Sequence, residues 1–481
     1  MAKDEARKKL VYEVLGDQPI PAEAEVELES VHGGPASAET EPLSLEDIKK
    51  LQEEFKADPK KTAEKLRKFL DPRFTDEQLG QALDHTRQIL EEPEAELESL
   101  VAASKAVELA LPLNFVETFV AEKYRKNKIL INPYERRFED DNATGLAGWI
   151  IWNGLPALKG ILKKEPFRWH SDKPSKFIYQ LKPKDNVALR VALFADFGTG
   201  LPHSFYIAHQ FAVEEYDAIF HLGDIYYTGT KQQYRDYFRK PLEQPAPGLK
   251  PVFESSKVFI LPDNHESYSG FSGYFDQLDH QQSTFHQPQE GSYFCVTTPS
   301  MQFIGIDSMW HGSGRFEKKE LRDWLAENLK RGRDQGKANI LMSGHEPYEY
   351  GKSESTKLWR EDMKSLVGDM VDMWFWGNTH YAALFPVTPE FPFAGSCIGH
   401  GGYPYGILPD KGDLPMRPLW REDQPRYGTT GIRSDRGNNG YCAFEISPKG
   451  EITLRYIDWL GNQRYSTRLV KNPTTKRYEL K

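Results

Sequence analysis

A layered α/β protein carrying an N-terminal α-helical region is the fold class the sequence predicts, on three observations. From Val187 onward, short apolar runs alternate with amphipathic stretches, of which 203–215 and 317–331 have helical spacing. Five of those runs (191–195, 218–220, 258–261, 340–342 and 373–376) are followed within about four residues by a carboxylate, amide or imidazole. From Gly440 the pattern changes to consecutive strands over 441–446, 452–456 and 465–470. Alternation followed by a run of strands is what sheets layered with helices produce.

Composition narrows the class. The chain has 481 residues, 39% of them hydrophobic and 12% aromatic, enough for a substantial core and for more than one domain. The net charge of −9 argues against a nucleic-acid partner, which needs a basic footprint. A phosphorylated small molecule stays admissible, because bound cations invert the local charge. Cys295, Cys397 and Cys442 lie far apart without metal-ligand spacing and read as buried free thiols. The first residues contain no apolar segment of the secretory kind, so the expected location is cytoplasmic.

In chain order, residues 1–43 are acidic and poor in apolar side chains, and read as a mobile segment. Residues 44–130 read as a helical region. Ser44-Leu45-Glu46-Asp47 resembles a capping box, Asp58-Pro59 closes the first helix, and Thr75-Asp76-Glu77-Gln78 opens the next. This region is either a packing appendage or a module for a protein partner. The connecting segment, 131–186, holds the most apolar stretch of the chain, 145–162, interrupted by Asn153, Gly154, Pro156 and Lys159. No transmembrane span is expected of it, since one needs about 20 apolar residues. Docking on the domain that follows, 187–481, is favoured over lying in a membrane interface.

The polar residues that follow the five runs carry the chemistry. They are Asp196; Gly223-Asp224 with Tyr226-Tyr227; Asp263-Asn264-His265-Glu266; Gly344-His345; and Gly377-Asn378-Thr379-His380. Side chains at strand ends are held rigidly in a cleft, and five such ends side by side are what a metal centre needs.

In this order the motifs resemble those of the calcineurin-like metallophosphoesterases, and within them the purple acid phosphatase branch: DxG, GDxxY, GNH(D/E), a strand-end His, then GHxH. Two positions depart, Asp263 standing for Gly and Asn378 for the first His of GHxH. The resemblance implies a metallophosphoesterase-type four-layer β-sandwich flanked by helices, with two metal ions at the strand ends. It implies that Asp196, Tyr227 and His380 bind the first, that Asp224 bridges, and that Asn264, His345 and Asn378 complete the second.

A phenolate favours Fe(III) at the first site, while amide oxygens favour Mn²⁺, Mg²⁺ or Fe²⁺ over Zn²⁺ at the second. Asn378 either coordinates through its amide oxygen or only caps a turn, leaving the second site weak or empty. His400 is a candidate for an extra imidazole and, with Tyr348, for substrate contact. Asp263 reads as accommodating an unusual turn.

The implied activity is hydrolysis of a phosphate ester by a metal-bridging hydroxide, with Asp224 in the metal pair and His265 assisting the leaving group. Phosphomonoesters of small molecules are favoured. A phosphodiesterase or nucleotide hydrolase of the same fold, or a degenerate scaffold that binds phosphate or a protein, are the alternatives.

Overall fold

The computed structural model describes residues 187–481 apart from 227, 247, 313, 409–413 and 426–435, together with 50, 53–62, 80, 167–168 and 176–183. Most of the expected helical region and connecting segment therefore lies outside the described residues. Within it, residues 53–62 form helical turns broken at Asp58, whose Oδ1 accepts the Lys61 N–H at 3.1 Å. Contacts divide the chain into two compact units, Met1–Ile161 and Leu162–Lys481; the second holds all fifteen described strands.

Those strands are β1 (Ile178–Gln180), β2 (Leu189–Phe194), β3 (Ala218–His221), β4 (Lys257–Ile260), β5 (Phe294–Thr297), β6 (Met301–Ile306), β7 (Ala338–Ser343) and β8 (Met373–Trp376). Beyond them come β9 (Ala382–Phe385), β10 (Ala394–Ile398), β11 (Trp420–Arg421), β12 (Gly440–Ile446), β13 (Ile452–Asp458), β14 (Gln463–Lys471) and β15 (Tyr478–Leu480). They form two sheets, ordered β1-β5-β6-β7-β8-β10-β9-β11 and β15-β14-β13-β12-β2-β3-β4. The domain starts earlier than position 187, because β1 pairs in parallel with β5. Each sheet is parallel where helices intervene (β2-β3-β4 and β6-β7-β8) and antiparallel where strands follow one another directly.

Period-two alternation decides which residues lie between the sheets. Ile340, Met342, Met373 and Phe375 join Val191, Leu193, Phe220 and Phe444 in one core that draws on both sheets. Their neighbours Leu341, Trp374 and Trp376 point the other way and join a second core. There Leu321, Trp324, Leu325 and Leu329 pack from helix α3 (Lys319–Asp334), over the outer face of the larger sheet. Helix α1 (Pro202–Glu214) covers the smaller sheet in the same way, its Phe211 ring edge-on to Phe194 at 5.0 Å. Both faces of the central strands are thus buried, which is why they read as unbroken apolar runs. The result is the expected two-sheet sandwich flanked by helices. Among the described residues no helix is long and apolar enough to cross a membrane.

Phe220 stacks on Phe259 in its own sheet and on Phe294 and Phe303 of the other, at 5.2–5.7 Å between ring centroids. Phe220→Ala should therefore cost about 3–5 kcal/mol of stability. Denaturant unfolding of the two proteins measures it, and a loss below ~1 kcal/mol would contradict close packing of the sheets at this point.

Candidate metal centre

Parallel strands in one sheet end on the same side, and here the ends of β2, β3 and β4 meet those of β7 and β8. Hydrogen bonds stitch the loops within each sheet: Asp196 N–H to Gly223 O at 3.0 Å, and Gly377 N–H to Gly344 O at 2.9 Å. Between sheets the approach is closer than any side chain permits. A Cβ placed on Gly377 would lie 2.7 Å from the Ala195 Cβ and 2.9 Å from Asp196 Oδ2. The glycine of the last motif is there so that the two sheets can close around the carboxylate. Asp196, Asp224 and Asn378 all have left-handed backbones, with φ of 55°, 71° and 61°. Such strain persists only where the surroundings over-determine it, and it gathers at functional sites.

Three donor atoms meet at Asp196. Its Oδ1 accepts the Tyr226 hydroxyl at 2.5 Å, the His380 Nε2 lies 2.9 Å from that hydroxyl, and Nε2 and Oδ1 are 3.3 Å apart. Metal–oxygen and metal–nitrogen bonds of about 2.0–2.2 Å place neighbouring donors roughly 3 Å from one another, so this spacing suits a shared cation. Burial, and then Asp196 and Asp224, hold the Tyr226 phenol well above its ordinary pKa, so only a cation would make it a phenolate. The expected ligand Tyr227 lies outside the described residues; its neighbour Tyr226 supplies the phenol seen here. Tyr403 stacks flat on His380 with centroids 3.7 Å apart, and its N–H donates to Asp196 O at 2.9 Å. It braces both residues at once, and no motif in the sequence announces it.

The second group is built from β4, β7 and β8. Asp224 Oδ1 accepts the His265 backbone N–H at 3.1 Å, tying the candidate bridging carboxylate to the third loop. His345 Nδ1 lies 3.0 Å from Asp263 Oδ1. Asn378 Nδ2 donates to Glu346 Oε2 at 2.6 Å. A carboxylate accepts, so the amide nitrogen is committed there and only the carbonyl oxygen remains to face a cation. The Asn264 amide nitrogen reaches the Tyr268 hydroxyl at 3.3 Å, within helix α2 (Asn264–Tyr268). His265 is almost buried, its ring edge-on to Tyr226 and Tyr268 at 4.4 and 5.4 Å.

Glu266 joins the groups. Fully buried, it accepts the backbone N–H groups of Asp263, Asp224 and Ile225 at 2.7–3.1 Å and the Tyr234 hydroxyl at 3.2 Å. Asp224 is pushed well above the carboxylate range by burial, then by Asp263, Asp196 and Glu266.

Among the described residues no three His, Cys, Asp or Glu side chains already converge as a cage. The donors brought together here include a phenol and an amide, which that set leaves out. Asp196 Oδ2 and Asp263 Oδ2 are buried and accept no hydrogen bond. Crowded buried carboxylates with orphaned oxygens fit bound cations, since a buried charge needs a partner.

Two expected contact residues are placed elsewhere. Tyr348 is 3% exposed, edge-on to Phe385 and Phe391, and lines a cavity of about 650 Å³ bordered by none of the candidate ligands. Its apolar ring is spent on the second core rather than on substrate. His400 is 2% exposed, and burial pushes its imidazole down to about 4. Its backbone oxygen accepts from Gly440 N and Asn439 Nδ2, both at 3.0 Å, so it pins the loop before Tyr403 to β12 instead of reaching for a ligand. Asp263 departs from expectation too. Its backbone is extended (φ −133°, ψ −158°), so no unusual turn calls for it, and its side chain is the part that matters.

The two sheets and their flanking helices are consistent with a metallophosphoesterase fold. Residues 189–382, from the start of β2 to the first residue of β9, match the family model described as calcineurin-like phosphoesterase, which supports that superfamily. The matched segment holds every residue of the centre described above except Tyr403. Domains of this family generally bind two metal ions and hydrolyse phosphoesters. No curated protein matches the chain. Nineteen chains of known structure do, among them one titled "GAP50 the anchor in the inner membrane complex of Plasmodium". That likeness is 17% identical, covers 59% of this chain and 88% of the other, and has a TM-score of 0.44.

The electrostatics predict an inverted pH dependence for the metal-free protein. Burial lifts Asp263 to about 6 despite the pull of His345, and Glu266 to about 7 despite three backbone donors. Burial works against a charge on His345, but Glu346 and Asp263 outweigh it and raise the ring to about 9. Between about pH 4 and 7 the folded acids hold protons that the unfolded chain has released, so stability falls as pH rises. Above pH 6.5 the unfolded chain has released the His345 proton that the folded ring keeps up to about pH 9, which acts in the same direction. The chelated protein should therefore lose melting temperature from pH 5 to pH 8 relative to the metal-loaded protein. A difference that is flat or reversed would show that these groups titrate as they do in the unfolded chain.

Proposed function

We propose that this chain is a dinuclear metallophosphoesterase of the purple acid phosphatase type, acting on phosphomonoesters. The observation that carries the reading is the convergence of Tyr226, Asp196 and His380 within 3.3 Å, beside a buried carboxylate bound to the next loop. Asp196, Tyr226 and His380 would hold the first cation, Asp224 would be shared, and His345, Asn264 and Asn378 would hold the second. Bound cations would supply Lewis acidity and a water of lowered pKa. A hard phenolate suits Fe(III) at the first site, and amide oxygens suit Mn²⁺ or Mg²⁺ at the second. Almost buried and packed on Tyr226, His265 would donate a proton to the leaving-group oxygen. Tyr403 and Glu266 act through others, holding the ligands where they are.

A second reading has its own observation. Asn378 replaces an imidazole with an amide already held by Glu346, which favours a scaffold that keeps one cation and turns nothing over. Metal analysis of the purified protein, with assays on p-nitrophenyl phosphate and its bis ester, separates the two. Turnover of the monoester with two ions supports the enzyme, and one ion without turnover supports the scaffold.

Asp224→Ala should remove metal and activity together, whereas His265→Ala should retain both ions and lose about 10²–10⁴-fold in kcat. Loss of metal from the His265 variant would assign that ring to coordination instead.

The phenol assignment is visible. Iron-loaded, oxidised protein should be coloured by ferric phenolate absorption, Tyr226→Phe should be colourless, and Tyr227→Phe should keep the band. The converse pattern would return the ligand role to Tyr227.

A further inference from the structure

Asp263 stands where the related motif has glycine, and the fold has made room for it. A Cβ on Gly344 would lie 2.5 Å from both Cβ and Cγ of Asp263. One on Gly223 would lie 2.7 Å from Asp263 Cβ, at a residue whose φ of +106° already requires glycine. Two strand-end loops, one from each sheet, thus give up their side chains where this carboxylate enters. The side chain is fully buried, its Oδ1 lies 3.0 Å from His345 Nδ1, and its Oδ2 accepts no hydrogen bond. The imidazole is also held at its edge, because a Cβ on Gly314 would lie 2.6 Å from His345 Cδ2.

We propose that Asp263 is a positioning residue for the second metal: it accepts the Nδ1–H of His345, fixes that tautomer, and turns the Nε2 lone pair toward the cation. This rests on the dinuclear reading above. A carboxylate on the far nitrogen fixes ring orientation and strengthens the imidazole as a donor. The site needs that strength, because Asn378 brings a weak amide oxygen where the related motif has a second imidazole. Glu346 would do for Asn378 what Asp263 does for His345, since it already accepts the hydrogen bond of the amide nitrogen. Both changes from the family pattern then belong together: one donor is weakened, and the remaining imidazole is reinforced from behind.

The test is a calorimetric titration of chelator-stripped full-length protein with Mn²⁺, for wild type, Asp263→Asn and Asp263→Gly. In Asp263→Gly the second-site Kd should weaken about 10–100-fold while the first-site Kd is unchanged. Asp263→Asn keeps an acceptor oxygen of the same shape and should fall between, which holds the test open if the glycine variant does not fold. In the two-Zn²⁺ protein, long-range ¹H–¹⁵N spectra should show a downfield His345 Nδ1–H that is absent from Asp263→Gly. A second-site Kd equal to wild type in Asp263→Gly overturns the proposal, as does equal weakening of both sites, which marks a merely structural role. Wild type that takes up only one ion overturns the dinuclear reading and this inference with it.

Discussion

One buried carboxylate holds the strand-end loops together. Glu266 accepts three backbone N–H groups, two from the loop after β3 and one from the loop after β4, and the hydroxyl of Tyr234 besides. Hydrogen bonds to charged acceptors are stronger than neutral ones, and several converging on one side chain leave little freedom to any donor. Both Asp224 and Asp263 take their positions from it, since their own backbone nitrogens are among the donors. Through Asp224 the clamp reaches the His265 backbone, and through Asp263 it reaches His345 on the other sheet. The protein's own hydrogen bonds therefore set these loops, and the carboxylates they gather are short of positive charge.

That shortage explains why the site costs the fold something. Asp196, Asp224, Asp263 and Glu266 are all buried, and burial, helped by the neighbouring carboxylates, lifts Asp224, Asp263 and Glu266 above the carboxylate range. Natural cores keep such charges only when paired or coordinating. The left-handed backbones of Asp196, Asp224 and Asn378 add strain in the same loops. Two sheets packed through Phe220, Phe303, Phe375 and Phe444 supply the rigidity that holds these unfavourable features in place.

How far the sequence disclosed this depends on the kind of signal. The sheets were legible because fully buried parallel strands are continuous apolar runs, and α1 and α3 begin and end within about three residues of their expected bounds. The order of strand-end groups was legible because each loop is short and its polar residue follows the strand directly. Edge strand β1 was missed because three residues carry no periodicity. The motif spacing pointed to Tyr227, whereas the phenol seen beside Asp196 is that of Tyr226, because the path of the chain after β3 is a tertiary matter. Tyr403 and His400 lie in a glycine-rich loop whose path is set by contacts with β2 and β12, distant in sequence. Glu266 was visible as the fourth residue of an Asp-x-x-Glu capping pattern. Its reach across to β3 was not, because that is a tertiary fact.

Asp263 shows what a departure from a motif can mean. Read as a sequence, Asp in place of Gly suggests a turn that tolerates either residue, since both accept unusual backbone angles. The extended backbone at this position removes that explanation. Glycine on both neighbouring loops removes the opposite one, that the side chain is merely put up with, because a tolerated side chain would be turned out toward solvent. It is instead enclosed and aimed at an imidazole. A buried carboxylate of this kind is destabilising in the absence of a cation and stabilising in its presence, so it couples folding to metal loading. On the proposed dinuclear reading, Asn378 would weaken the coordination and Asp263 would strengthen it from outside, and the balance between them would set how firmly the second ion stays.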